Sequence, residues 1–207
     1  MNKVVSASPI VVVLVGLPGS GKSFFATQFA NSLDYPLVSE DKIRWMLFAN
    51  HTHNDSENAI VKQIANTMIS ELFKTKKTFL LDGGYNSRTY RATLAAQAKK
   101  AGYKIVTVVV QTDMPTTKQR SVKRNTQKPV DRHKQPLDSR EFTLQTKKYQ
   151  APLHNDKTVV VISGKHTYTT QARTVLKKIL EVHNTAAPVQ IAQRPTPTVR
   201  PRGPFIQ

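Results

Sequence analysis

The chain has 207 residues, 39% of them hydrophobic, no cysteine, and a formal net charge of +18 from 31 Lys and Arg against 13 Asp and Glu. That length suits one domain with a sizeable core, and the lack of cysteine excludes a disulfide scaffold, thiolate zinc sites and cysteine nucleophiles, in keeping with a reducing cytoplasm. The charge draws polyanions such as nucleic acid or an anionic membrane, or else belongs to a solvated surface with no specific partner; no apolar run approaches a membrane span.

Ile10–Val15 is an apolar, β-branched run. It reads as a buried strand rather than a secretory signal, because glycine and proline interrupt it and no small-residue cleavage site follows. Residues 16–23 are Gly-Leu-Pro-Gly-Ser-Gly-Lys-Ser, a complete G-x-x-x-x-G-K-[ST] loop, followed by an amphipathic helix from Lys22 to Ser32. Strand, glycine loop and helix in that order aim backbone N–H groups and the positive end of a helix at a polyphosphate. Gly16, Pro18, Gly19, Ser20 and Gly21 would wrap the phosphates, Lys22 would reach the outer ones, and the Ser23 hydroxyl would hold Mg²⁺. The loop predicts binding of a nucleoside triphosphate.

Beyond it, strand and helix signals alternate, which predicts an α/β fold with a mostly parallel five-stranded sheet between helical layers. Leu37–Ser39 is a short strand, and Ser39 can cap a helix with Glu40 and Asp41 in its first turn. Asp55 or Ser56 can cap a helix to about Lys74, with Ile60, Val61, Ile64, Met68, Ile69 and Leu72 as its apolar stripe. Thr78–Leu81 is a buried strand ending at Asp82; Ser87 caps a helix to Lys100, closed by Gly102. Lys104–Val110 is a strand, Pro115–Asn125 a helix capped by Asp113, and Thr126–Asp138 a polar, proline-punctuated segment expected to be mobile. Glu141–Gln150 and Thr170–His183 are helices flanking a last strand, Thr158–Ile162. Residues 1–183 form the expected domain. Residues 184–207 hold five prolines, three arginines and no acid, so a disordered or extended tail is expected there.

Proteins with such a loop divide into motors, switches and small kinases. The chain is short for a motor with an accessory helical domain and lacks the N-K-x-D segment of switch GTPases. The segments GLPGSGKSFFA from Gly16, SEDKIR from Ser39, FLLDGGYNSR from Phe79 and RSVKRN from Arg120 resemble those of P-loop kinases related to polynucleotide 5′-hydroxyl kinases and zeta-toxin-like kinases, a group also described as AAA-family ATP-binding proteins. The likeness spans most of residues 10–165, and SEDKIR fits the group's S-x-D-x-x-R pattern.

The resemblance implies a P-loop NTPase fold with a kinase-type lid, at about residues 118–148 here, and ATP and Mg²⁺ as cofactors. It makes Asp41 the general base that accepts the proton of an acceptor hydroxyl; otherwise Asp41 is an ordinary acid at a helix start. Arg44, three residues on, shares its face and could grip an acceptor phosphate. Asp82 ends its strand as the second acidic motif of P-loop proteins does and would bind Mg²⁺ directly or through water. Asn86 resembles an acceptor-arranging asparagine, although one residue further from Asp82 than is usual, and helix capping with Ser87 is the other reading. Residues 118–148 carry ten basic against three acidic residues; Arg120 and Arg124, one helical turn apart, could act together on the β- and γ-phosphates, with Arg132 and Arg140 less clearly placed. His51 and His53 lack a carboxylate partner and read as loop residues. Trp45 either packs its helix on the sheet or stacks on a base.

These features imply ATP-dependent transfer to a hydroxyl, first to the 5′-hydroxyl of a polynucleotide. The other readings are a small-molecule kinase acting on a sugar, antibiotic or nucleotide-sugar, and a nucleotide-gated nucleic-acid-binding protein with little turnover.

Overall fold

The computed structural model describes residues 8–50, 52–127, 132–153 and 155–184; the tail beyond Asn184 and His51 lie outside them. Strands β1 (Ile10–Val15), β2 (Leu37–Ser39), β3 (Phe79–Asp82), β4 (Lys104–Gln111) and β5 (Val159–Ser163) form one sheet in the order β2-β3-β1-β4-β5. Every pairing is parallel. Parallel neighbours need crossovers, and helices α1 (Lys22–Leu33), α2 (Glu40–Leu47), α3 (Asp55–Thr75), α4 (Arg88–Lys100), α5 (Met114–Val122) and α6 (Ser139–Lys148) supply them, while α7 (Tyr168–Asn184) follows the last strand and packs on the sheet.

The unbroken apolar run of β1 follows from its place at the centre, where both faces are covered. Ile10, Val12 and Leu14 face one core with Phe25 and Phe29 of α1 and Val175 and Ile179 of α7. Val11, Val13 and Val15 face the other, with Val61, Ala65 and Ile69 of α3 and Leu94 and Ala98 of α4. Phe25 and Phe29 stack at 5.1 Å in full burial, each side chain adding about 1.5–3 kcal/mol by leaving water.

Element order and type follow the sequence reading, with three informative differences. The cap of α3 is Asn54, whose side chain accepts the Glu57 N–H at 2.8 Å, because the carboxamide one residue earlier already serves an orphan donor of the first turn. Its fully buried face is Glu57, Val61, Ala65 and Ile69, with Ile64 and Leu72 half-buried against the same core, while Ile60 and Met68 are exposed. Helix α5 stops at Val122. The Ser121 carbonyl, which another turn would bond to residue 125, instead accepts the Leu137 N–H at 3.1 Å. Arg124 therefore lies beyond the helix, not one turn from Arg120 within it.

Candidate functional site

The register of the sheet brings the chemistry together. Asp82 pairs with both Leu14 of β1 and Ser39 of β2, so three strand ends, the loop after β1 and the first turn of α2 meet at one edge. The loop is shaped by close approach. At Gly19, with φ 77°, an added Cβ would lie 2.3 Å from the Thr117 carbonyl oxygen and 2.6 Å from Ser121 Oγ of α5. Only glycine takes that backbone at no steric cost. At Gly84, with φ 70°, a Cβ would lie 2.3 Å from Glu40 Oε1, which ties the turn after β3 to α2.

Two cavities share this edge. A cleft of about 480 Å³ is lined by Gly19, Gly21, Lys22, Ser23, Arg120 and Arg124. A polar cavity of about 170 Å³ is lined by Asp41, Asp82, Tyr85, Asn86, His133 and Gln145 among others. Lys22, Arg124 and Lys134 border both. The sequence-predicted residues Asp41, Asp82, Lys22, Ser23 and Arg124 are thus assembled around one point.

The charges there are tightly linked. Lys22 Nζ donates to the carbonyls of Gly16 and Leu17, each at 2.7 Å. Burial, then the nearby Lys134 ammonium, lowers its pKa to about 8 against the pull of Asp82 and Asp41. Lys134 Nζ lies 2.7 Å from Asp41 Oδ2 and donates to Ser23 Oγ. Burial alone would raise the Asp41 pKa and lower that of Lys134; the attraction between them wins, holding the carboxyl below and the ammonium above their ordinary values. A neighbouring acid, Glu40, is raised by burial and then by Asp41.

The donor set suits Mg²⁺. Among the described residues no cage of three or more His, Asp, Glu or Cys exists, and Mg²⁺ needs none, since it binds through one or two carboxylates, waters and substrate phosphates. The oxygens of Ser23 and Asp41 already converge on a cation, the ammonium of Lys134, with the carboxylate of Asp82, 3% exposed, adding its charge.

Two predicted substrate-binding residues have other partners. Arg44 is buried, pairing through Nη1 with Glu57 and through Nη2 with Asn58 Oδ1 at 2.8 Å. Its side chain joins α2 to α3 instead of facing either cavity. Asn86 lines the polar cavity, yet its carboxamide is spent on Gly16: Oδ1 accepts the Gly16 N–H and Nδ2 donates to the Gly16 carbonyl, both at 3.0 Å. The cap of α4 is Ser87, without a side-chain cap bond. Arg120 reaches the Gly164 carbonyl at 3.3 Å at the cleft's rim, and Arg140 is exposed on α6.

Trp45 does not pack on the sheet. It is 45% exposed, edge-on to His133 at 4.7 Å, with the Arg132 guanidinium 5.7 Å from its ring centre. Sequence reasoning missed Lys134 and Glu57. Lys134 carries no local mark within its polar segment. Glu57 does, since it stands in register with Val61, Ala65 and Ile69 and so must be buried and paired.

Comparison with known proteins agrees with this architecture. The profile of the AAA domain family AAA_33 matches residues 11–152, whereas no curated protein sequence matches the chain. Among solved structures, a gluconokinase from Sinorhizobium meliloti 1021 superposes with a TM-score of 0.59 at 17% identity, covering 86% of this chain and 95% of that one. Chaetomium thermophilum Kti12 in complex with ADP-AlF3 gives 0.60 at 20% identity, covering 83% and 98%. The Mycobacterium tuberculosis APS kinase CysC with AMPPNP and APS gives 0.61 at 18%, covering 84% and 99%. At such identities the likeness is one of fold. With a family match over more than half its length, the chain belongs to the AAA domain family AAA_33 and has the fold of the P-loop kinases.

Proposed function

We propose that this protein is an ATP- and Mg²⁺-dependent kinase that transfers the γ-phosphoryl group to a hydroxyl, with the 5′-hydroxyl of a polynucleotide as acceptor. The observation that carries the reading is the Asp41 carboxylate, set between the phosphate loop and a separate polar cavity and kept ionised by its surroundings.

Phosphoryl transfer asks a protein mainly for positioning and charge. The loop N–H groups and the start of α1 would hold the phosphates. Lys22 would exchange the Gly16 and Leu17 carbonyls for the outer phosphates. Ser23, Asp82 and one oxygen of Asp41 would hold Mg²⁺, which when bound neutralises phosphate charge and orients the reacting group, leaving the other Asp41 oxygen for the acceptor. An acceptor hydroxyl in the polar cavity gives its proton to Asp41 as its oxygen bonds to the γ-phosphorus. The bond to the β–γ bridging oxygen breaks, and that electron pair leaves on ADP. Arg124, which borders both cavities, would steady the migrating charge.

The polynucleotide reading is supported by the net charge of +18 and by the rim beside Asp41. There the exposed rings of Trp45 and Phe24 stand with Lys42 and Arg132. Aromatic faces among cations suit stacked bases on a phosphate backbone. A small hydroxylated acceptor is the second reading, favoured by the 170 Å³ cavity and by the burial of Arg44.

Transfer of γ-labelled phosphate from ATP to 5′-hydroxyl oligonucleotides and to a panel of sugars decides between them, with Asp41→Asn as control. Labelled oligonucleotide, reduced about 10²–10⁴-fold in the variant while ATP affinity holds, is the expected result. Label on sugars alone would select the second reading. ATP binding with no transfer to either would point to a nucleotide-gated binding protein.

A further inference from the structure

The two loop-facing ammonium groups are arranged unequally. Lys22 Nζ is turned onto the Gly16 and Leu17 carbonyls of its own loop. Lys134 arrives from the segment between α5 and α6, 111 residues from Ser23 in sequence, and binds Ser23 Oγ and Asp41 Oδ2 together. Only 18% of its side chain is exposed. The groups it joins are the ones that would hold the divalent cation, so this inference rests on the kinase reading of the site.

We propose that Lys134 is a built-in cation, whose ammonium occupies the divalent-metal position until a nucleotide arrives, so that metal enters with the nucleotide and not before it. An ammonium hydrogen-bonded to both oxygens fills the space between them. Mg²⁺ needs those oxygens at about 2.0–2.1 Å in a near-octahedral shell, and the two cations repel at that range. A bare divalent ion therefore has to expel Lys134 from both oxygens with no phosphate to receive it. A nucleotide changes this, because Lys134 also borders the cleft lined by Gly19, Gly21 and Lys22, and the phosphates offer it a new anionic partner a short swing away. The arrangement keeps Asp41 paired with the ammonium until the substrates assemble and the metal takes the ammonium's place. It also makes Lys134 a latch, since its release loosens the segment 132–138 from the acceptor side of the site.

The test is Mn²⁺ binding to the full nucleotide-free chain, followed by the electron paramagnetic resonance of the free ion. Lys134→Met, which keeps the stem and removes the charge, should bind Mn²⁺ about tenfold more tightly than the wild type, and adding Asp41→Asn to it should abolish the gain. Equal or weaker Mn²⁺ binding by Lys134→Met would overturn the proposal. A second measurement needs no variant: the wild-type melting temperature should rise with Mn²⁺ plus ATP and stay unchanged with Mn²⁺ alone. A similar rise with the metal alone would overturn it as well. Tighter metal binding by Lys134→Met, with no phosphoryl transfer by the wild type to any acceptor, would sink the kinase reading and leave this one standing.

Discussion

Replacing Arg44 with methionine would leave the carboxylate of Glu57 buried without its cation. The two side chains are 8% and 5% exposed, and the other carboxylate oxygen of Glu57 accepts the Thr52 N–H at 2.7 Å, the Thr52 hydroxyl at 3.2 Å and the His53 N–H at 3.1 Å. Those bonds fix the carboxylate in place, so it cannot follow the lost charge to water. Breaking a buried pair from one side costs about 3–5 kcal/mol, about a fifth or more of the roughly 5–15 kcal/mol that holds a domain folded. With a urea m-value of about 2 kcal/mol/M, the midpoint should fall by about 1.5–2.5 M. Glu57 also gives the pair a pH signature. Burial would raise its pKa, but the Arg44 and Thr52 hydrogen bonds and the guanidinium charge bring it from 4.5 to about 2. A depressed carboxyl stabilises above its unfolded value, so the wild type should lose this contribution as pH falls from 4.5 towards about 2. The Arg44→Met/Glu57→Gln double variant should recover much of the loss, because neither side then buries a bare charge. The assay is urea denaturation followed by circular dichroism, at pH 7 and down the acid range. A midpoint shift below about 0.5 M, with a raised KM for acceptor in Arg44→Met, would refute the structural role and return Arg44 to the acceptor grip that its spacing from Asp41 suggests.

Asn86→Ala removes both bonds to Gly16, which should cost about 1–3 kcal/mol of stability and weaken ATP binding; calorimetry showing unchanged affinity would separate Asn86 from the loop. Lys22, lowered to about 8 by burial and by Lys134, should regain its proton when phosphates arrive. ATP binding should therefore take up about 0.1 proton at pH 7 and about 0.75 at pH 8.5, measured by calorimetry in buffers of different ionisation heat. Equal uptake at both values would mean that Lys22 does not meet the phosphates.

What could be read from the chain was local. The loop at 16–23, the strand before it and the helix after it are contiguous, and Asp82 and Asp41 follow strands whose ends a parallel sheet must place side by side. Pairings across long stretches of chain were hidden. Asn86 finds Gly16 from 70 residues away and Lys134 finds Ser23 from 111, and no periodicity encodes such partners. Arg44 shows the opposite failure: a matching pattern suggested a ligand grip, while the complete face of α3, beginning at Glu57, was needed to see that the guanidinium had a partner within the protein. Trp45 misled for a related reason, since an apolar ring on a short amphipathic helix favours the core only when the sheet lies within its reach.

Trp45 is the protein's one tryptophan, and its ring edge meets His133 at 4.7 Å, the residue beside Lys134. Indole emission responds to the groups packed against the ring. Excited at the red edge of aromatic absorption, the protein therefore carries an optical gauge of one contact, between the end of α2 and the segment that holds the lysine. No dye or second reporter is required, and stopped-flow traces would time the parting of these two elements as nucleotide and metal are mixed in either order.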